Sequence, residues 1–553
     1  MIILFENASY DASFIKALDL PATCYTAPAD DRVRMNCTGY YFSPSAKDAI
    51  FILPKVFLKV SDSGLKAFGK YDIDDFTRYP FSVEINADKA LSENLFNISV
   101  WIYLAIRNFQ TDYPNSGIIL DGHKTLKITS RKGKDSCTLI DIILSLIEFH
   151  KDHQTLLTYC SLISHSGRNR IHWPKTVNHT QAYIIDNQPF YLDELKHGKQ
   201  IDYNEQLISL FYSVLNYLRP SFMFDATPAL TYNIIPPRRI RSMIVSGKGT
   251  RLLKSIRKRY FKDEFVLLWN LLYTFFAKCE KVNAKNSHSE ALIAKDFNIV
   301  FEAMTDRLIS DDKDCLPKGL REQRDGKIID HIYKDKAPFG TGQIYYIGDS
   351  KYYLDDNRIS GESVYKQYTY ARNVIQECIN LSYRHPEEYR RLDLRYRDSL
   401  TEGYCPTPNF FIRGKFFTES DNPFSTTELY INKLPFNRHN DIQYQFPDRL
   451  FDRDTLILMT FEVNFLYILR AYAAGNDVSN ARAALRSRFR KGFMETLDGL
   501  FDIRPLENAD EESIIRNFRE LNGKVFYDNA SGQLLRATPK PMSEETEFIS
   551  IFI

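Results

Sequence analysis

The chain has 553 residues, of which 44% are hydrophobic and 26% are charged, and this composition is typical of a globular protein with several domains. Its formal net charge of +2 excludes a polyelectrolyte that binds nucleic acid over its whole surface, so any such site has to be a local basic patch. The eight cysteines form no Cys-x-x-Cys pair, which argues against a zinc ribbon and indicates reduced thiols. No basic segment followed by an apolar core opens the sequence, so we predict no signal peptide and a cytoplasmic protein.

In chain order, three segments differ in their residue pattern. Residues 1–90 are rich in β-branched and aromatic residues, and AIFILPKVFLKV (49–60) predicts a strand that is interrupted at Pro54. Residues 91–295 carry apolar residues at helical spacing, and residues 296–553 mix helices and strands. We therefore predict an α/β protein with a β-rich N-terminal domain, a helical middle region and a mixed third domain.

Two apolar runs are the candidates for membrane spans. Residues 265–277 are too few to cross a bilayer. Residues 455–473 are numerous enough, but they include Glu462, Asn464 and Arg470. We therefore predict that both runs are buried helices and that the chain has no membrane partner.

Two basic stretches are candidates for contact with nucleic acid. Residues 234–262 contain ten Lys or Arg, residues 481–491 contain five, and neither stretch contains an acidic residue. Such patches neutralise phosphates and give an affinity that is sensitive to salt and blind to sequence, whereas a solvated helix face is the alternative for either stretch. The candidate DNA-binding residues are Arg238, Arg239, Arg241, Lys248, Arg251, Lys254, Arg257, Lys258, Arg259, Arg486, Arg488 and Arg490. VSGKGT (245–250) lacks the glycine spacing of a P-loop, so we predict that this chain hydrolyses no nucleotide.

An acid and a lysine interrupt an aromatic run in the third segment. Strand alternation in YYIGDSKYY (345–353) places Asp349 and Lys351 on one face. GKIIDHIY (326–333) predicts a second short strand that carries Asp330, and a loop with Pro and Gly separates the two strands. We therefore predict a β-hairpin that brings the two acids together.

The segment that follows predicts a helix over residues 364–378. Its apolar stripe includes Val364, Ala371 and Val374, and Gln367 falls on the same stripe. A buried amide costs free energy unless it has hydrogen-bond partners, so Gln367 is a candidate for orienting a group in a site.

Two carboxylates with a lysine two residues on suit metal-dependent cleavage of a phosphodiester. Asp330 and Asp349 would bind Mg²⁺ or Mn²⁺ through oxygen, and Lys351 would orient the attacking water or stabilise the developing charge. A solvated Asp-Lys pair on a surface strand is the alternative. The second acid and the helix with Gln367 favour the metal site.

This arrangement resembles the PD-(D/E)XK nuclease superfamily. Asp330 resembles its first acid, DSK (349–351) its second acid and lysine, and YKQYTYA (365–371) its downstream Q-x-x-x-Y element. A glutamate on the preceding helix often joins the metal site in that superfamily, and the resemblance implies this role for Glu302. A solvated helix charge is the alternative for Glu302.

Three further segments are similar to the LlaJI family of restriction endonucleases, which are relatives of the McrC nuclease subunit. They are RNRIHWPKTV (168–177), FEAMTDRLI (301–309) and RLFDRDTLILMTFEVNFLYILRAYA (449–473). The resemblance implies a nuclease core with a mixed sheet flanked by helices. It also implies an Mg²⁺-dependent endonuclease subunit of a bacterial anti-phage restriction system that cuts double-stranded DNA with a McrB-like AAA+ NTPase.

Two rival functions remain open from the sequence. A nuclease of the same superfamily that acts alone in repair or junction resolution would need no motor partner. A DNA-binding subunit that retains the fold without the activity would bind neither Mg²⁺ nor Mn²⁺. Residues 1–90 lie outside the resemblance, and we predict a module that docks a partner or contacts DNA.

Overall fold

The computed structural model describes residues 1–540 except 27–30, 44, 47, 63, 79–80, 122–137, 155–157, 166–169, 203–204, 223–231, 284–289, 324–325, 341, 355–358, 421, 434–441, 444–447, 476–477, 507–509 and 529–530. The chain divides into two compact units. Their parts are Met1, 42–48 and 121–290 for the first unit, and 2–41, 49–120 and 291–553 for the second. Within the described residues, no helix is long and apolar enough to cross a membrane. The predicted division at residues 90 and 295 stays a prediction.

The N-terminal part of the chain is rich in short strands. They are β1 (Ile2–Phe5), β2 (Ser9–Asp11), β3 (Arg32–Arg34), β4 (Thr38–Ser43), β5 (Asp48–Leu53), β6 (Leu58–Ser61), β7 (Gly64–Ala67), β8 (Tyr71–Asp72) and β9 (Ile119–Asp121). The helices are α1 (Ala12–Ala17), α2 (Val83–Ala87) and α3 (Lys89–Asp112). The predicted interruption at Pro54 is confirmed, because a single 3₁₀ turn separates β5 from β6.

The middle of the chain is mainly helical, and it makes up most of the first unit. Its helices are α4 (Leu139–Asp152), α5 (Trp173–His179), α6 (Gln206–Phe222), α7 (Pro237–Val245), α8 (Lys248–Ile256) and α9 (Asp263–Asn283). Its strands are β10 (Tyr159–Ser164), β11 (Ala182–Ile185), β12 (Gln188–Tyr191) and β13 (Lys196–Ile201). Helix α9 confirms that residues 265–277 form a helix, and Phe265, Leu268 and Leu272 are among its buried residues.

The remainder of the chain alternates helices and strands. The helices are α10 (Phe297–Ile309), α11 (Gly361–Arg384), α12 (Pro386–Arg391), α13 (Phe465–Ala474), α14 (Val478–Leu500), α15 (Glu511–Arg516) and α16 (Phe518–Leu521). The strands are β14 (Glu290–Ala294), β15 (His331–Lys336), β16 (Gln343–Lys351), β17 (Thr407–Lys415), β18 (Ile431–Lys433), β19 (Ile442–Gln443), β20 (Leu456–Asn464), β21 (Phe501–Pro505), β22 (Val525–Asp528) and β23 (Gln533–Pro539).

A five-stranded sheet joins the N-terminal strands to a strand from the middle of the sequence. Its order is β1-β5-β4-β14-β9, and β1 runs parallel to β5 with Ile2 opposite Ile50. Gly39 in β4 has a φ of +143°, and a Cβ there would lie 2.3 Å from the carbonyl oxygen of Leu292 in β14. Glycine is therefore required where β4 approaches β14.

A mixed sheet occupies the centre of the second unit. Its order is β15-β16-β17-β20-β18, and β19 also pairs with β20. Strands β16, β17 and β20 are parallel, whereas β15 and β18 run antiparallel to their neighbours. The connection from β16 to β17 carries helices α11 and α12, whereas the described residues between β17 and β20 include strands β18 and β19. The predicted α/β class, with a mixed sheet flanked by helices, is confirmed.

The apolar run at residues 455–473 corrects one prediction. We predicted a single buried helix, but residues 456–464 form strand β20 and only residues 465–474 form a helix. A short apolar run fits a buried strand as well as a buried helix, and pairing with β17 decides between them here. Asn464 ends the strand and accepts a hydrogen bond from the backbone N–H of Leu466, so it caps the helix that follows.

Candidate active site

Strands β15 and β16 form the predicted antiparallel hairpin. His331 lies opposite Gly348, and continuing this register by one residue places Asp330 opposite Asp349. The side chains of Asp330 and Asp349 are close enough for the second acid to shift the pKa of the first through a hydrogen bond and through its charge. The acids therefore meet at the end of the hairpin that is remote from its loop.

One detail of the predicted hairpin is wrong. Asp330 lies in a bend immediately before β15 rather than inside a strand. The residues that precede it pair elsewhere, since Ile328 forms an isolated bridge with Glu322. Asp330 consequently lies at the point where the chain enters strand β15 of the sheet.

The contact between the two acids changes the titration of Asp330. Burial, followed by the hydrogen bond and the charge of Asp349, raises the pKa of Asp330 from 3.8 to about 9. Two adjacent carboxylates repel each other when both are ionised, so the metal-free pair retains a proton at neutral pH. A divalent cation can replace that proton.

Lys351 is paired with the second acid. Its ammonium is in ion-pair contact with Oδ2 of Asp349 and lies 5.4 Å from the centre of the Phe411 ring. Asp349 is 3% exposed, and its Oδ2 has no hydrogen-bond partner of regular geometry. A buried carboxylate oxygen that accepts no hydrogen bond of regular geometry is suited to binding a hard cation such as Mg²⁺.

Gln367 lies on the buried stripe of α11, as predicted, and is 1% exposed. Its amide Nε2 donates to the carbonyl oxygen of Ile347 at 3.0 Å. This bond ties α11 to β16 two residues before Asp349. The structure thus gives Gln367 a role in holding the strand, whereas contact with a reacting group stays a prediction.

Glu302 lies on α10 and is part of the electrostatic surroundings of the pair. Burial is the largest effect that raises its pKa, and the charges of Asp349 and Asp306 add to it. Among the described residues, no three His, Cys, Asp or Glu side chains converge so as to hold a metal ion. Since Mg²⁺ binds through one or two carboxylates and retains several waters, Asp330 and Asp349 fit this ion without a third acid.

Lys366 is a neighbouring cation that sequence analysis missed. Partial burial lowers its pKa, but the charge of Asp330, the hydrogen bond and charge of Tyr370 and the charge of Asp349 together outweigh burial and raise it. Its Nζ lies 5.3 Å from the centre of the Tyr370 ring. The available signal was its position directly before Gln367, on the turn of α11 that faces the hairpin.

The exposed candidates for DNA contact cluster on α7 and around α8. Ile240, Met243 and Ile244 bury one side of α7. The α7 arginine patch, which we define as Arg238, Arg239 and Arg241, is exposed on the other side. Lys248, Arg251, Lys254, Lys258 and Arg259, in and directly after α8, are also exposed.

Four members of that stretch have contacts within the unit. Arg251 contacts the carbonyl oxygens of Ser246 and Gly247, Lys254 the ring of Tyr273, Arg257 the ring of Trp269 and the carbonyl oxygen of Tyr260, and Arg259 the side chain of Gln206. These side chains cannot move to a phosphate without losing a contact.

The arginines of α14 differ from one another. Arg486 is half-buried, forms an ion pair with Asp311 at 2.8 Å and lies over the ring of Tyr333. Arg490 donates to the carbonyl oxygen of Ala337 at 3.5 Å. Arg488 is exposed. The assignment of these three residues to DNA contact stays a prediction.

Comparison with solved structures gives a weak likeness. No family profile matches this chain, and no curated protein is significantly similar to it. A chain of the half-complex from the tetradecameric assembly of Thermococcus gammatolerans McrB AAA+ hexamers with bound McrC aligns with 90% of this chain and 99% of its own length. The identity is 12% and the TM-score is 0.27, so this likeness assigns neither a family nor a site.

Proposed function

We propose that this chain is an Mg²⁺-dependent DNA endonuclease subunit that hydrolyses phosphodiester bonds in double-stranded DNA. The contact between the carboxyl groups of Asp330 and Asp349, with Lys351 on the same strand, carries the proposal. Two adjacent carboxyls, one buried and one half-buried, are unfavourable as anions, and a divalent cation relieves that repulsion. A cation held there, next to a lysine, is the arrangement that cleavage of a phosphodiester requires.

The side chains of this site have separable tasks. Asp330 and Asp349 would hold the metal ion, which when bound lowers the pKa of a coordinated water and neutralises charge on the phosphate. Lys351 is placed to donate a hydrogen bond to the attacking water or to a phosphate oxygen on which charge develops. Lys366 adds a second positive charge near the same carboxylates. Gln367 keeps β16 in place through the backbone.

The DNA backbone would bind to exposed basic residues. The α7 arginine patch presents three cations that have no acidic neighbour in the sequence of the basic stretch. Contacts of this kind release counterions from DNA and supply affinity without reading its sequence. Arginine is suited to this task because its fork of N–H donors matches phosphate oxygens.

We place the endonuclease in a bacterial restriction system that works with a McrB-like AAA+ NTPase. This part of the proposal rests on the sequence segments that resemble the LlaJI family and on the lack of a P-loop in VSGKGT (245–250). A separate motor protein would then hydrolyse the nucleotide, and this chain would cleave the DNA.

The test is cleavage of linear and branched DNA in Mg²⁺ by the purified chain, alone and with a McrB-like partner and its nucleotide. We expect strong cleavage of linear DNA only when partner and nucleotide are both present. Asp349→Ala should lower that rate by about two to three orders of magnitude, because a metal ligand is worth several kcal/mol of charge stabilisation.

The rival functions give different results in the same assay. Efficient cleavage of branched DNA by the chain alone would favour a stand-alone repair nuclease. Full activity of Asp349→Ala would exclude this site as the nuclease centre. Failure of the wild-type chain to bind Mn²⁺, together with no cleavage in the complete mixture, would favour a non-catalytic DNA-binding subunit.

A further inference from the structure

A buried histidine links the two elements that carry the acids. His331, which follows Asp330, has no exposed side-chain surface. Its Nε2 lies 2.6 Å from the hydroxyl of Ser350, which follows Asp349 on the neighbouring strand. Its Nδ1 lies 3.4 Å from Oδ1 of Asp306 on α10.

An arginine continues this chain of contacts back to the first acid. Arg321 forms an ion pair with Oδ2 of Asp306 at 2.9 Å. The same guanidinium donates to the backbone carbonyl oxygen of Asp330 at 2.8 Å. The series Ser350–His331–Asp306–Arg321, which we call the histidine bridge, therefore begins beside one acid and ends on the backbone of the other.

The ionisation of Asp306 sets the direction of the hydrogen bonds. Burial tends to raise the pKa of Asp306, but the hydrogen bond and charge of His331 and the charge of Arg321 outweigh burial and bring it to about 2. The carboxylate is an acceptor only, so Nδ1 of His331 carries a proton and donates it to Asp306. Nε2 of the same ring lies within hydrogen-bond distance of the hydroxyl of Ser350.

The position of the histidine bridge beside the two acids indicates a role other than filling space in the core. Buried polar groups cost free energy unless they are paired, and apolar residues would fill the same space without this requirement. Two bridge members, His331 and Ser350, adjoin the acids in sequence, and the side chains of Ser350 and Asp349, as neighbours on β16, point to opposite faces. The bridge therefore ties together the backbones at both acids without occupying the space in front of the carboxylates.

We propose that Ser350, His331, Asp306 and Arg321 are positioning residues that hold Asp330 and Asp349 at the separation a divalent cation needs. This inference rests on the proposed metal-dependent function. Mg²⁺ and similar ions demand nearly ideal ligand geometry, so the positions of two ligands on different strands have to be fixed before the ion binds. Outer partners of metal ligands typically change metal affinity or activity by about 10–100-fold when they are removed.

The same three side chains also have the order of a Ser-His-Asp nucleophilic triad. A nucleophile of that kind needs its histidine next to a substrate, because the ring has to pass the proton to a leaving group. The ring of His331 has no exposed surface, so the structure favours the positioning role. Reaction of Ser350 with a fluorophosphonate probe would overturn it.

The experiment measures Mn²⁺ affinity of the full chain by calorimetry and by the electron paramagnetic resonance signal of free Mn²⁺. Ser350→Ala removes the hydroxyl and should weaken Mn²⁺ binding by about 10–100-fold. Ser350→Thr retains a hydroxyl and should restore the affinity to within a few-fold of the wild type. Asp306→Asn removes the charge that orients the histidine and should resemble Ser350→Ala.

Loss of a buried hydrogen bond also lowers stability, so a destabilised control is needed. Ile514→Ala leaves a cavity in the apolar cluster of Ile514, Val525 and Leu534, which contains none of the bridge residues. It should lower the Tm while leaving Mn²⁺ affinity unchanged. Ser487→Ala, at an exposed position of α14, should change neither quantity.

Besides reaction of Ser350 with the probe, two results would contradict the positioning role of the histidine bridge. One is wild-type Mn²⁺ affinity in Ser350→Ala, and the other is absence of Mn²⁺ binding by the wild-type chain. The bridge and the proposed function can fail separately. If Ser350→Ala weakens Mn²⁺ binding but the complete mixture cleaves no DNA, the bridge stands and the nuclease assignment fails.

Discussion

Charged neighbours, rather than burial alone, distinguish the acids of this site. Asp306 and Asp330 both lose solvent, and burial raises the pKa of each. Asp306 faces His331 and Arg321 and remains ionised, whereas Asp330 faces Asp349 and retains a proton. One acid is therefore suited to orienting a partner, and the other is suited to exchanging its proton for a metal ion.

The shared proton predicts a pH dependence of stability. The unfolded chain releases the Asp330 proton near its ordinary pKa of 3.8, but the folded chain keeps it up to about 9. The folded state thus binds more protons between these values, so the free energy of unfolding contributed by this group falls as the pH rises from about 4 to about 9. We expect Asp330→Asn to become increasingly more stable than the wild type over this range, in thermal unfolding without metal.

Two controls define this prediction. The exposed residue Asp312 offers a matched variant, Asp312→Asn, whose Tm should follow the wild type at every pH. Addition of Mg²⁺ should raise the Tm of the wild type more at pH 8 than at pH 6. The metal ion displaces the Asp330 proton, and removal of this proton costs less free energy at the higher pH. If the Tm of the wild type and of Asp330→Asn depends on pH in the same way, the pair of Asp330 and Asp349 holds no extra proton.

At the level of elements, the hairpin depends on a glycine beside the second acid. A Cβ at Gly348 would lie 2.3 Å from the ring of Phe410 in β17, which is fully buried. We expect Gly348→Ala to push β16 away from β17, lower the Tm and weaken Mn²⁺ binding, because the shift displaces Asp349. Gly499→Ala is the control, since nothing lies within 4 Å of its Cβ and alanine favours a helix. An unchanged Tm in Gly348→Ala would contradict this packing.

The α7 arginine patch predicts a salt-dependent contribution to DNA binding. Reversal of two of its charges, in Arg238→Glu with Arg239→Glu, should weaken binding to all sequences alike. The slope of log affinity against log salt should fall in magnitude by roughly 0.9 for each phosphate contact that is lost. Arg516→Glu with Arg519→Glu changes the net charge equally at exposed positions outside the patch and should leave the slope nearly unchanged. Equal slopes for both double variants would exclude α7 as the DNA surface.

In the whole molecule, most of the first ninety residues, namely 2–41 and 49–90, belong to the second unit. Strands β1, β5 and β4 are consecutive neighbours in the sheet that contains β14. The buried carboxylate of Glu6 accepts hydrogen bonds from the hydroxyl of Tyr352, directly after Lys351, and from the backbone N–H of Lys55. The N-terminal strands therefore support the strand that carries the candidate site.

This integration predicts the result of a truncation. Deletion of residues 1–90 removes three adjacent strands and leaves apolar residues of β14, such as Leu292 and Ile293, without their neighbours. We expect the truncated chain to lose near-ultraviolet circular dichroism and become protease-sensitive, so it would not report on partner docking. A folded truncated chain that still binds Mn²⁺ would show that the nuclease sheet is independent of these strands.

The sequence by itself determined the local parts of the candidate site. Alternation in residues 345–353 predicted the strand with Asp349 and Lys351, and helical spacing predicted the buried position of Gln367. These inferences hold because side-chain direction along one strand or helix depends on the local backbone repeat alone. The same reasoning failed for residues 456–464, where the residue pattern fits a strand and a helix equally and only a neighbouring strand decides.

The tertiary structure alone decided which distant groups meet. Sequence spacing gave no signal that Asp306, Arg321 and Ser350 would be connected through His331, because they belong to a helix, a loop and a strand that only packing brings together. The shifted pKa of Asp330 likewise depends on burial and on a charge from the next strand. The local sequence pattern thus identifies the candidate acids. The distance between them, the proton that Asp330 retains and the residues that hold the acids in place follow from contacts between elements far apart in the chain.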